Sequence, residues 1–590
     1  MNAQDQDIVV QGTPICRGIA IGHPFFIRLV EKMIPEVSVE TQEIEREIAR
    51  YQKAVVSGRE EIQQLQKRLL NERIADGVDI LDTHLQMMDD PLLTTHIEDE
   101  IRKTHKNAEH VFYSLVKECQ RKFDSITDPF FQERFREIQD IYRRVLRHLR
   151  NDEQAGLSDL PGDSIIFSQD ITSLDTAEAD NHRIAAFITK YGGAASHAAI
   201  VAKAKGIPYV SSINLEEIDI PRDSLVIVDG RTGEVIINPS PETLVKYKKL
   251  RDQLKLHFHT LTQKGQLESE TYDGYKVELS ANIEMHNELD MLHQYGGSGV
   301  GLFRTESTFL ASESFPTEEE QFTIYRYFVE RMKGLPIVIR TFDLGGDKNL
   351  ASQKKTPKEC NPFLGCRAIR FSLGEQEIFK VQLRAILRAS AYGDVRIMFP
   401  MVSALSELLE AKAILKEVKN ELISANIPIA DHIRVGCMIE VPSAAITADL
   451  LAKECDFLSI GTNDLVQYAL AVDRSNDALS HLYTPTHPGI LRLIRLVVSE
   501  ANHHNIPVTV CGEVAADPRF TPLLLGLGVH ELSVASRYLP VIKNAIRNTS
   551  IVTASKLAEQ ALSLSSAAAV EELITNEYRR SVPEDCFYNC

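Results

Sequence analysis

The spacing of apolar positions changes several times along this chain, and each change marks a segment with its own expected architecture. IVVQGTPIC and GIAIGHPFFI, near the start, are short apolar runs broken by glycine and proline, the pattern of strands, and they stop near Pro35. From about Val37 the period lengthens. Ile44, Ile48, Tyr51, Val55, Ile62, Leu65 and Leu69 recur at helical spacings, and Ile138, Ile141, Val145 and Leu149 repeat the stripe at the far end. Glycine is scarce in between and Pro91 and Pro129 are natural helix breaks, so residues 36–150 are expected to form a helical bundle. Short runs return with SIIF at Ser164, IAAFIT at Ile184 and LVIVDG at Leu225. An insertion explains this order: residues 1–35 and 151–240 make one β/α domain, and the bundle interrupts it.

Residues 241–274 turn polar and charged, with a helix expected through Leu250 and Leu254 and then the loose QKGQLESETYDG, which together read as a linker and hinge. Across 275–575, eight short apolar runs each precede helix-like sequence: VELSA at Val277, GVGLF at Gly299, PIVIR at Pro336, VRIMF at Val395, IRVGCMI at Ile433, CDFLSI at Cys455, IPVTV at Ile506 and HELSV at His530. Eight such units fit a (β/α)8 TIM-type barrel, whose chemistry sits at the C-terminal ends of its strands. The fold class is therefore multidomain α/β, closed by a tail at 576–590.

Composition narrows the function classes. A hydrophobic fraction of 44% with 25% charged residues suits globular domains, and no apolar run is long enough to span a bilayer, so no membrane insertion is expected. MNAQDQDIVVQG lacks the basic-then-apolar order of a secretion signal, so the expected location is cytoplasmic. The nine cysteines are scattered without C-x-x-C pairing, which points to reduced thiols rather than a disulfide framework or a zinc site. A net charge of −18 argues against a nucleic-acid partner, so an anionic ligand must be held by local arginines.

Two places carry candidate chemistry. In GGAASHAAIVAKAKGIPYV, His197 stands where a turn through Gly192 and Gly193 opens into a helix. Free N–H groups at a helix start cradle phosphate oxygens, and the same dipole favours the neutral, nucleophilic imidazole, which suits a phosphoryl carrier. The second place is the set of strand ends: Arg304 after the second run, Arg340 closing the third, Glu440 after the fifth, Asn463 and Asp464 after the sixth, and Cys511 with Glu513 at the seventh. Arginines clamp phosphate or carboxylate bidentately, and Glu440 and Asp464 offer hard oxygen ligands for Mg2+. Singly, each has an ordinary role: ion pairs to Glu306 and Asp343, a helix cap at Asp464, packing at Cys511. Jointly, at five of eight strand ends, they read as a metal beside an anionic substrate.

These motifs, in this order, resemble those of Enzyme I of the sugar phosphotransferase system, the phosphoenolpyruvate–protein phosphotransferases. GGAASHAAIVAKAKGIP resembles the phosphohistidine signature, ERFREIQDIYRRVL the end of the carrier-binding helices, and GLFRTE, RTFDLGGDK, CNPFLGCRAIR, FPM, IEVPSA, DFLSIGTNDLVQY, AVDR and CGEVA the phosphoenolpyruvate barrel. The resemblance implies that phosphoenolpyruvate (PEP) and Mg2+ bind in a barrel that also forms a homodimer, and that the phosphoryl group moves to His197 and then to a histidine of the small carrier HPr. Residues 1–35 with 151–240 would be the phosphohistidine domain and 36–150 the HPr-binding insert.

Position by position, the resemblance makes Glu440 and Asp464 metal ligands. Arg304, Arg340, Asn463 and Arg474 would hold the substrate beside Asp464, with Arg367 and Lys348 lining the same pocket. Cys511 would protonate the enolate carbon of pyruvate, and Thr176 would hydrogen-bond His197. The chain departs from the family pattern at Ala194 and Ala195, where a basic residue and a threonine are common, at Cys366 in place of tryptophan, and in a tail whose Cys586 and Cys590 have no counterpart. Other readings fit less well. A dikinase or PEP synthase needs an ATP-binding domain, and no glycine-rich phosphate loop is present; a PEP-sensing regulatory protein predicts lost metal ligands, yet Glu440 and Asp464 remain; a nitrogen-branch Enzyme I needs an N-terminal sensor domain, for which no room is left.

Overall fold

Eight short strands pair into one sheet in the first of two units, which part in sequence between Leu254 and Lys255. The computed structural model describes residues 7–27, 34–72, 81, 84–85, 87–88, 93–124, 129–150, 160–180, 183–193, 197–214, 218, 220–221, 224–284, 288–306, 315–344, 361–473 and 477–582. The sheet comprises β1 (Ile8–Gln11), β2 (Thr13–Cys16), β3 (Ile19–Ile27), β4 (Ser164–Ser168), β5 (Ile184–Thr189), β6 (Tyr209–Ser211), β7 (Val226–Asp229) and β8 (Glu234–Ile237), in the order β1-β8-β7-β3-β4-β5-β6-β2. β3 and β4 flank the helical segment in sequence yet pair in parallel, with Phe26 stacked on Phe167 at 5.2 Å. Side chains alternate between faces, so Ile166, Phe187 and Tyr209 pack one core while Ile165, Phe167 and Ile188 pack the other.

Between β3 and β4 lie α1 (Ile44–Glu72), α2 (Thr95–Thr104), α3 (Ala108–Asp124) and α4 (Pro129–Arg150). Their stripes close over Ile48, Tyr51, Ile62, Leu65, Phe112, Ile141 and Val145, and Val201 of the β/α domain joins that core. Pro129 opens α4, where its missing N–H costs nothing. The insert is tied down by charge as well. Arg144 of α4 is buried between Glu61 of α1, at 2.7 Å, and Glu178 of α5 (Ser173–Glu178). The unit also contains α6 (His197–Lys205) and the start of α7 (Pro241–Gln263).

In the second unit all eight expected runs are strands of a closed parallel barrel: β9 (Glu278–Ile283), β10 (Val300–Arg304), β11 (Ile337–Arg340), β12 (Val395–Phe399), β13 (Arg434–Ile439), β14 (Phe457–Gly461), β15 (Val508–Cys511) and β16 (Glu531–Ala535). Leu302, Val338, Met398, Met438, Phe457 and Cys511 cluster as one buried layer inside it. Strand period two then puts Arg304, Arg340 and Glu440, each two residues beyond a member of that layer, on the rim above it. Residues 264–277 are less loose than their composition suggests. The Lys543 ammonium donates to the carbonyls of Gly265, Tyr295 and Gly296, and the Asp273 carboxylate accepts from Thr271 Oγ1 (2.6 Å), Ser550 Oγ (2.9 Å) and the Ile551 N–H (2.9 Å). Among the described residues no helix is long and apolar enough to cross a membrane.

Candidate active site

The barrel rim gathers charge that a structural barrel has no use for. Arg304 and Arg340 are register partners at the ends of adjacent strands. Arg304 Nη1 reaches Glu284 Oε1 at 2.5 Å, and Arg340 Nη2 lies 3.2 Å from Glu306 and 3.3 Å from Asp343. Arg367 holds Asp343 with both ends of its fork, at 2.8 and 3.0 Å, and reaches Asp464 Oδ2 at 2.9 Å. Burial opposes the charge on Arg340 and Arg367, but the surrounding carboxylates outweigh it and hold both guanidiniums above their ordinary range. The ion pairs read as the ordinary alternative for Arg340 are therefore present, and they aim it as well as satisfy it.

The carboxylates are in excess. Among the described residues, Glu306, Asp343, Glu440 and Asp464 are buried at the rim with two buried guanidiniums, Arg340 and Arg367. Two negative charges are left over when all ionise. Burial, then Asp464 and Asp343, push the Glu440 carboxyl up to about 8, against the pull of Arg340 and Arg367. Its Oε1 accepts the Met401 N–H at 2.6 Å, which Met401 presents from a left-handed backbone, φ 54°. Asp464 Oδ1 is buried with no hydrogen-bond partner among the described residues. An unpartnered carboxylate oxygen beside a carboxyl short of positive charge fits a divalent, oxygen-preferring cation. No cluster of three or more histidine, cysteine or acidic ligands is found among the described residues.

Gly461, closing β14, is part of this geometry: a Cβ there would lie 2.8 Å from Glu440 Oε2. Asn463 Oδ1 accepts the Glu513 N–H at 3.0 Å, linking the sixth and seventh strand ends. Cys511 is buried, its Sγ 3.4 Å from both Ser459 Oγ and Ile460 O. Burial raises its pKa, partly offset by the Ser459 hydroxyl, so it rests as a protonated thiol. The structure thus brings together Arg304, Arg340, Arg367, Glu440, Asn463, Asp464 and Cys511; Lys348 and Arg474 lie outside the described residues. Sequence reasoning missed Glu284, Gly461, Met401 and Ser459, whose parts depend on contacts between strands.

In the first unit, α6 begins at His197, whose side chain lies outside what is described, as do Ala194, Ala195, Cys586 and Cys590. Gly192 has φ 124°, and a Cβ there would sit 2.6 Å from the Tyr209 hydroxyl, so the turn requires glycine. Thr176 is fully buried on α5, its hydroxyl donating to the Thr172 carbonyl at 3.1 Å. Cys366 is exposed.

Models of three domains match the chain: PEP-utilising enzyme, N-terminal, over residues 11–134, its mobile domain over 160–233, and its PEP-binding domain over 259–551. The chain belongs to the PEP-utilising enzymes. Within that family it is similar to proteins named phosphoenolpyruvate-protein phosphotransferase. It is 39% identical over 569 residues to that of Priestia megaterium, covering 96% of this chain and 99% of the relative. It is 39% identical over 579 residues to that of Bacillus subtilis (strain 168), covering 97% and 100%. It is 37% identical over 565 residues to that of Listeria monocytogenes serovar 1/2a, covering 96% and 98%.

Proposed function

We propose that this chain takes the phosphoryl group of PEP onto His197 and passes it to a histidine of a small carrier of the HPr type, releasing pyruvate. The observation that supports this most strongly is the barrel rim, where two buried guanidiniums face the paired carboxylates Glu440 and Asp464. Arg304, Arg340, Asn463 and Arg474 would hold the phosphate and carboxylate, with Arg367 and Lys348 lining the same pocket. Mg2+, held by Glu440, Asp464 and substrate oxygens, would neutralise charge on the transferring group. In the transfer the enol P–O bond breaks and a P–N bond forms to the His197 imidazole, a loose displacement that asks mainly for alignment and cations. The leaving enolate takes the proton of the Cys511 thiol at carbon, which leaves a thiolate facing the Ser459 hydroxyl. Thr176 would orient the imidazole.

This scheme needs one imidazole to meet a donor in the barrel and an acceptor docked on the helical insert 36–150. The linker 241–274 is the proposed pivot, bending ahead of its fastened residues 264–274, with 1–35 and 151–240 the carrier domain and 275–575 the donor and homodimer domain. A cytoplasmic location fits the reading. Pyruvate release on addition of HPr, coupled through lactate dehydrogenase, tests it: wild type should turn over only with Mg2+, PEP and HPr together. Turnover without HPr, or dependence on ATP or AMP, would favour the dikinase reading and overturn this one.

A further inference from the structure

Behind the two rim arginines lies a polar network that the scheme above does not use. The helix Gln376–Ala389 packs in the outer layer of the barrel, and Gln382 on it is fully buried. Its Oε1 accepts the N–H of Phe342 at 3.0 Å, and its Nε2 donates to Thr305 Oγ1 and to the Tyr325 hydroxyl, both at 3.2 Å. The Thr305 hydroxyl in turn donates to the carbonyl of Arg340 at 2.9 Å. The Tyr325 hydroxyl donates to Gln321 Oε1 at 3.0 Å, and Thr305, Tyr325 and Gln321 are all buried.

The placement of these bonds matters more than their number. Ladder pairing of β10 with β11 ends at Arg304 and Arg340. Beyond that pair no backbone ladder fixes one strand end against the other, and a side chain must do so. Thr305, the residue after Arg304, bonds the backbone of Arg340, and Gln382 bonds both Thr305 and the backbone two residues after Arg340. Phe342 immediately precedes Asp343, whose N–H donates to Glu306 Oε1 at 2.6 Å and whose carboxylate meets Arg340 and Arg367. One amide thus clamps the two chain segments that carry Arg304 and Arg340 and the acid that aims them. A generic buried glutamine has no need to choose those partners.

We infer that Gln382 is a positioning residue for the substrate phosphate, acting through Thr305 and the backbone at Phe342 to hold Arg340 against Arg304. The inference rests on the reading that these arginines bind PEP, and its test separates the two. In a His197→Ala background, where no transfer follows binding, calorimetry measures the affinity for PEP with Mg2+. Gln382→Met keeps the volume and removes the bonds, and it should weaken PEP about tenfold, the scale expected when a buried hydrogen-bonding partner is lost. Arg340→Lys should weaken it at least as much. The double variant should be little worse than Arg340→Lys alone, because both act on one guanidinium. Thr305→Val cuts the same link from its other end and should repeat the result, which keeps the test open where Gln382→Met does not fold. With His197 restored, Gln382→Met should raise KM for PEP more than it lowers kcat.

Unchanged PEP affinity in Gln382→Met beside a weakened Arg340→Lys overturns the inference alone. Additive losses in the double variant assign Gln382 to stability only and also overturn it. Unchanged affinity in both single variants overturns the reading on which it rests.

Discussion

One methyl group added at Gly461 tests whether Glu440 is a metal ligand. Gly461 has φ −82° and ψ 83°, so alanine accepts the backbone without left-handed strain, and any effect comes from the space its Cβ takes. That Cβ would lie 2.8 Å from Glu440 Oε2, 3.0 Å from Glu440 Cβ and 3.0 Å from Met438 Sδ. Relief to an ordinary contact of 3.4 Å asks the carboxylate oxygen to retreat about 0.6 Å. Free rotation is blocked, because Oε1 is tied to the Met401 N–H at 2.6 Å. Overpacking of this size costs about 1–3 kcal/mol and lowers the melting midpoint by a few degrees. A metal ligand tolerates displacement of only about 0.2 Å, so the Mg2+ concentration for half-maximal rate should rise about 10–100-fold. The assay is the initial rate of pyruvate release at saturating PEP and HPr, titrated with Mg2+, with circular dichroism to show that the variant is folded. High Mg2+ should restore most of the rate. A folded Gly461→Ala protein with an unshifted Mg2+ midpoint refutes the assignment of Glu440.

Other expectations concern how the chain is held together. Arg144→Met leaves Glu178 without its buried cation, while Glu61 keeps Arg147 and His148, and it should destabilise the first unit by about 3 kcal/mol in urea; adding Glu178→Gln should recover part of the loss. Lys543→Met strips the shared donor from the carbonyls of Gly265, Tyr295 and Gly296, and it should cost on the order of 3 kcal/mol in the same measurement. Asp273 is held at about 2, first by the Thr271 hydroxyl and then by the backbone and hydroxyl donors at the start of the helix Ile551–Ser563. A folded-state pKa below the unfolded value gives stability that is present above pH ~4 and lost as pH falls toward 2. The melting midpoint of wild type should therefore exceed that of Asp273→Asn at pH 5, and the gap should narrow steadily as pH falls through 3 toward 2; a gap independent of pH would contradict this.

The barrel was legible in the sequence because parallel strands are buried on both faces, so most of the eight become short, largely apolar runs that turn residues bracket. The helical segment was legible for the opposite reason: Ile44, Ile48 and Tyr51 fall on one stripe, a period no strand shows. Arg304, Arg340, Glu440, Asp464 and Cys511 could be picked out because strand ends are where a barrel displays chemistry. Arg367 could not, since its loop has no such rule, and only the resemblance singled it out. The remainder depends on contacts between distant residues. Gly461 matters through Glu440, Gln382 through Thr305 and Phe342, and Met401 through one N–H presented from a positive φ. The fastening of 264–277 was hidden for the same reason, because Lys543 and Asp273 find their partners across more than 270 residues of sequence.

The account turns on His197 as the site of a phosphoryl group taken from PEP. Wild-type protein quenched in base after a short incubation with 32P-labelled PEP and Mg2+ should carry about one label per chain, stable in base, lost in acid, and mapped to the peptide containing His197. Addition of HPr before the quench should remove it, and His197→Ala should carry none. Label that survives acid, or that remains after His197→Ala, would contradict the account.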